Sequence, residues 1–167
     1  MYDSYGKLIY IIEEEAGSLW RKFVRLTKFR TILSLKIFVR EVNSNRFFLI
    51  TRKSGLSSKY FLEDYLGKPI CSFSHKTKKV ILGYWDILDE YGNLIAKYLP
   101  NTPFVLGVQK GIVLDNSGEK ISSFEWERPS FFKSPKECLI IINKNEKSWE
   151  IISIASALIK AFSFEMR

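Results

Sequence analysis

Cysteine and histidine are nearly missing from this chain: two Cys and one His stand among 167 residues. That scarcity excludes a disulfide-stapled scaffold and a four-ligand structural zinc site, which need more of these side chains than are present. Cys71 and Cys138 each lie in or beside an apolar run, and they are read as buried free thiols of a reducing compartment. Long apolar runs are missing too. The longest, Ile151 to Phe162, is interrupted by Ser153, Ser156 and Lys160, well short of the roughly 20 apolar residues that span a bilayer. No transmembrane span is predicted. Met1 to Lys7 lacks the basic, apolar and small-residue segments of a secretory leader, so a cytoplasmic protein, at most peripheral at a membrane, is expected. The glycines form no phosphate cradle: Gly107 and Gly111 are four apart in a strand-rich stretch with no helix start behind them.

What is present is the composition of a packed globule, 46% hydrophobic and 15% aromatic, far from the signature of disorder. The length suits one domain over residues 1–167. Along the chain, short runs rich in β-branched and aromatic residues alternate with turn signals. They predict strands at Lys7 to Glu15, Arg30 to Glu41, Arg46 to Lys53, Lys59 to Asp64, Pro69 to Ser74, Lys79 to Asp86, Leu94 to Leu99, Phe104 to Val113, Lys120 to Glu127 and Glu137 to Asn143. The turns between them are Asn43-Ser44-Asn45, Tyr65-Leu66-Gly67-Lys68, Asp89 to Asn93 and Asp115-Asn116-Ser117-Gly118. The run Cys138 to Ile142 reads as a buried strand.

Ser148 reads as a helix N-cap, and Glu150 would place a carboxylate where the first turn favours one. The helix that follows, from about Trp149 to Phe164, is apolar around most of its circumference, so it should be enclosed rather than laid on a surface. A mainly β fold of about twelve antiparallel strands, closed as a barrel over about residues 5–144 around a central hydrophobic helix at about 149–164, satisfies both the strands and the helix.

This order of features resembles the phospholipid scramblase family and its LURF-one-related relatives, which share the tubby-like C-terminal fold. The resemblance covers nearly the whole chain and rests on order more than on any single motif. Tyr5-Gly6-Lys7-Leu8-Ile9-Tyr10 before Glu13-Glu14 is similar to the family's opening strand, and Phe29-Arg30-Thr31 with Arg46 to Arg52 to its outgoing and returning strands. A unit of strand, acid, turn glycine and strand recurs at Asp64 with Gly67, at Asp89 with Gly92 and at Asp115 with Gly118, and the helix ends in Phe162-Ser163-Phe164-Glu165. The resemblance implies a non-enzymatic domain that binds anionic phospholipid head groups or regulates at a membrane. The family's acidic calcium segment has no counterpart: Pro135 to Trp149 sets Glu137 and Glu146 among Lys133, Lys136, Lys144 and Lys147, which makes no oxygen cage. No cofactor is expected.

Charge is the informative functional feature. Residues 16–60 hold eleven Lys and Arg against Glu41 alone, a net of +10 within a chain of net charge +8. Such a field draws phosphate-bearing partners. Arg21, Lys22, Arg25, Lys28, Arg30, Arg52 and Lys53 are the candidate anion-binding residues; the same residues also suit the solvated outer faces of strands. Trp20, Phe23 and Phe29 among the first five suit base stacking as well, though they read more readily as core residues, so a nucleic-acid or protein partner is the alternative to an anionic phospholipid surface, and true lipid scrambling ranks below both. A monomer is expected. No catalytic residue is assigned: His75, between Ser74 and Lys76, reads as a solvated residue of a basic turn, and the acids at Glu13-Glu14-Glu15, Glu63-Asp64 and Asp86 with Asp89-Glu90 read as turn and strand-end groups.

Overall fold

The computed structural model describes residues 1–14, 34–42, 44, 47–53, 59–76, 83–100, 107–128, 138–144 and 146–164. Its strands are β1 (Tyr10–Glu14), β2 (Leu35–Glu41), β3 (Phe47–Arg52), β4 (Lys59–Asp64), β5 (Pro69–Lys76), β6 (Tyr84–Leu88), β7 (Leu94–Pro100), β8 (Gly107–Asp115), β9 (Lys120–Arg128) and β10 (Cys138–Ile142). The helix α1 (Lys147–Phe164) follows. Strand order in the sheet is chain order, β1 to β10, as expected when short turns join antiparallel neighbours. Mainly β architecture with one C-terminal helix is therefore what the chain builds. Ten strands are described rather than about twelve, and among the described residues no pairing of β1 with β10 closes the sheet.

Contacts fall into two compact units, Met1–Ser72 and Phe73–Arg167. In the first, strict alternation sets one face inward: Leu35, Ile37 and Val39 of β2, Phe48 and Ile50 of β3, and Tyr60 and Leu62 of β4 are buried. Register aligns them, Ile37 opposite Ile50 and Ile50 opposite Leu62, with Val39 opposite both Ile12 and Phe48. Each such side chain contributes about 1.5–3 kcal/mol on burial.

The second unit has its own core. Trp85 and Ile87 of β6, Ala96 and Tyr98 of β7, Val113 of β8, and Ile121 and Phe124 of β9 are buried. The helix packs on β9 and β10 and buries Ile152, Ile154, Ala155, Ala157 and Ile159 together with Ser153 and Ser156. Burial on several sides is what its nearly continuous apolar surface requires. The serines do not cost an unpaired hydroxyl there: Ser156 Oγ donates to Ile152 O at 2.8 Å, and Ser153 Oγ lies 2.7 Å from Trp149 O and 2.9 Å from Ser122 Oγ.

One turn recurs four times. Asp3, Asp64, Asp89 and Asp115 each accept, through Oδ1, backbone N–H bonds from the second and fourth residues onward, at 2.7–3.0 Å. Each turn closes on a glycine with φ between 78° and 90°, at Gly6, Gly67, Gly92 and Gly118, a left-handed conformation that a β-carbon disfavours. This is the three-residue hairpin, a turn followed by a left-handed residue that bulges the ladder. Beyond two of these turns the ladder shifts register once more, at Ile87/Leu88 and at Val113/Leu114.

Two expectations are corrected. Cys71 is buried but Cys138 is exposed, and the Cys138 to Ile142 run is not a buried strand, since Leu139 and Ile141 are 59% and 52% exposed. β10 is the last strand in the order, and among the described residues β9 and the helix are the elements packed most closely on it. His75 is not in a solvated turn; it lies in β5, half-buried, with its ring 4.7 Å from that of Trp85. Any side chain at Gly83 would collide with its imidazole, so a glycine on the neighbouring segment makes room for the ring.

A candidate anion-binding face

Alternation that buries one face of the first unit presents the other. Lys36, Phe38 and Arg40 of β2, Phe47, Leu49 and Thr51 of β3, and Lys59, Phe61 and Glu63 of β4 share this outer face, exposed or half-buried. Pairing makes it continuous, with Lys36 opposite Thr51, Thr51 opposite Phe61, and Phe38 opposite Leu49. Lys53 follows β3 and is exposed.

The cations are placed on aromatic rings. The ammonium groups of Lys53 and Lys59 lie 5.9 Å and 5.3 Å from the centroid of Phe61, so two positive charges bracket one ring. The rings of Phe38 and Phe47 are 6.2 Å apart. Arg40 approaches Glu13 of β1 at 3.8 Å with both side chains more than half exposed, a contact that solvent screens and that contributes little. A face of cations interleaved with aromatic rings offers phosphate contacts through the first and apolar or stacking contacts through the second.

Of the expected binding residues, Arg21, Lys22, Arg25, Lys28 and Arg30 lie outside the described residues. The adjacent pair Arg52 and Lys53 is split by the pleat. Lys53 meets solvent, whereas Arg52 follows Phe48 and Ile50 onto the inner face, 6% exposed, with its guanidinium 5.7 Å from the centroid of buried Tyr60. Arg52 is therefore a core cation and no part of the exposed set; the alternation Phe48, Ile50, Arg52 carries that signal in the sequence. Lys36, Arg40 and Lys59 were missed as site residues, although the same period of two puts Lys36 and Arg40 on one face.

No known family model, curated protein or solved structure matches this chain. Among the described residues no group of three or more His, Cys, Asp and Glu is placed to hold a metal ion, and no helix is long and apolar enough to cross a membrane. Burial pushes the Cys71 thiol up to about 12 and raises the Tyr98 phenol, so neither ionises at neutral pH. The Asp89 carboxyl is held below its ordinary range, first by the Asn93 side chain, and that of Asp115 first by Lys144 and then by Ser117; both are turn carboxylates.

Proposed function

We propose that this protein is a non-enzymatic, cytoplasmic binding module that associates peripherally with anionic phospholipid surfaces through the outer face of its first unit. The observation that carries the reading is the bracketing of Phe61 by Lys53 and Lys59 on a face that also holds Lys36 and Arg40. Near an anionic membrane each such cation contributes about 1 kcal/mol, and half-buried rings beside it favour the interface over bulk water. The net charge of +10 over residues 16–60 favours a phosphate-bearing partner in the same way. The resemblance to scramblase-like and tubby-like domains points the same way, and this reading includes closure of the sheet as a barrel about α1. The burial of that helix and the uninterrupted strand order support closure. Scrambling by α1 itself is disfavoured by the pairing of Ser153 with Ser122, which ties the helix to β9.

A second reading is favoured by Phe38, Phe47 and Phe61 on one basic sheet face, because single-stranded nucleic acid is held by aromatic platforms flanked by cations. Fluorescence anisotropy with a labelled single-stranded oligonucleotide, run beside vesicle binding over a salt series, separates the two. Vesicle binding that requires anionic lipid, with weak oligonucleotide binding, supports the membrane. Tight oligonucleotide binding with a steep salt slope and no vesicle binding assigns the face to nucleic acid.

A further inference from the structure

The four strands of the first unit run antiparallel in order, so the residues before β1, the β2–β3 link and the turn after β4 gather at one end of that unit. Tyr2, Tyr5, Val42, Phe47, Tyr65 and Leu66 are the exposed large apolar side chains of this unit among the described residues, and all six belong to that end. Exposed apolar residues scattered singly need no explanation, but a cluster confined to one rim marks a contact surface.

We propose that this rim enters the interfacial zone of an anionic bilayer, with Tyr5 and Leu66 as its leading side chains. The inference rests on the lipid reading above and names the part of the molecule that penetrates. Tyr5 and Leu66 hold the same place in two copies of the Asp-x-x-Gly turn, and they are 94% and 75% exposed. Both tips are braced by hydrogen bonds. Asp3 Oδ1 accepts from Tyr5 N and Lys7 N, each at 2.9 Å, and Asp64 Oδ1 from Leu66 N and Lys68 N at 2.9 and 2.8 Å. Gly6 and Gly67, both at φ 78°, complete the turns. A tip already held in shape loses little further conformational freedom on docking.

The partner follows from the residues around the tips. Each tip is followed, across its glycine, by an exposed lysine, Lys7 or Lys68, so an apolar or amphipathic side chain and a cation project together. Tyrosine rings settle at head-group level and leucine below it, while the ammonium meets lipid phosphate. A protein partner would need no such repeated pairing of tip and lysine. The second unit presents Tyr91 in the same turn position, 83% exposed, but with Asn93 in place of the lysine.

The test uses the full chain with Cys138 replaced by serine and Leu66 replaced by cysteine carrying a polarity-sensitive fluorophore; Cys71 is buried and stays unlabelled. Vesicles of phosphatidylcholine alone and with phosphatidylserine are the probes. A blue shift with the anionic vesicles, absent or smaller for the same label at exposed Asn116 in the β8–β9 turn, is the expected result. Because both tips are exposed, Tyr5→Ser/Leu66→Ser should fold normally and bind about tenfold more weakly. Flotation of the unaltered protein with an unshifted Leu66 label and an unaffected double variant would overturn the rim and leave the lipid reading standing. No flotation of the unaltered protein would overturn both. Self-association of the unaltered protein in sedimentation, lost in the double variant, would assign the rim to a second copy and overturn the bilayer.

Discussion

Lys144 Nζ stands 2.8 Å from Asp115 Oδ2, which ties the chain just before α1 to the β8–β9 turn. Glu119 Oε2 lies 3.0 Å from the same ammonium, and the Trp149 ring 5.8 Å from it. The helix is thus anchored at its start by charge and along its length by burial.

That clasp makes stability depend on pH in a definite direction. The Asp115 carboxyl is depressed chiefly by Lys144, so its contribution is present above its unfolded value and lost as pH falls through the folded one. Lys144 is raised chiefly by Asp115, so its contribution is present below its unfolded value and lost as pH rises through the folded one. The clasp is whole between about pH 4 and about pH 10, the unfolded values of the two groups. Lys144→Met should lower the melting temperature inside that window and lose the difference in acid, as thermal unfolding across pH would record. A difference unchanged down to strong acid contradicts the clasp.

Tyr98 crosses Gly111. A β-carbon at that glycine would lie 2.6 Å from the tyrosine oxygen and 2.7 Å from Cε2, and the buried hydroxyl has no hydrogen-bond partner among the described residues. Gly111→Ala should cost about 1–3 kcal/mol by overpacking, whereas Tyr98→Phe should be neutral or stabilising by about 1 kcal/mol, because it removes an unsatisfied group. Urea unfolding of both variants checks the pair. A large loss in Tyr98→Phe would mean that the hydroxyl is bonded.

Ser153 and Ser122 are both buried and share one hydrogen bond at 2.9 Å. Ser153→Ala strands the Ser122 hydroxyl and should cost about 1–3 kcal/mol, with part of that loss recovered in Ser122→Ala/Ser153→Ala. Additive losses in the double-mutant cycle would deny the coupling.

The strands were legible because turn residues bound each of them: Lys59–Asp64 has the same limits in sequence and structure, and the Asp and Gly of each turn mark where a hairpin must close. Legibility failed where a neighbour decides. The basic tract after Ser74 reads as a turn, yet β5 continues to Lys76 because Trp85 and Gly83 receive the His75 ring. Charge alone grouped Arg52 with Lys53; the pleat separated them. Cys138 to Ile142 has the composition of a core strand, yet at the end of the strand order it leaves Leu139 and Ile141 exposed.

Flotation of the charge-reversed outer face, Lys53→Glu/Lys59→Glu, beside the unaltered protein on neutral and anionic vesicles at physiological salt, tests the central claim most directly. The unaltered protein should float with anionic vesicles only, and the variant should bind at least about tenfold more weakly, as two reversed cations at about 1 kcal/mol each require. Equal flotation of the two proteins, or no flotation of either, would contradict the assignment of this face to an anionic membrane.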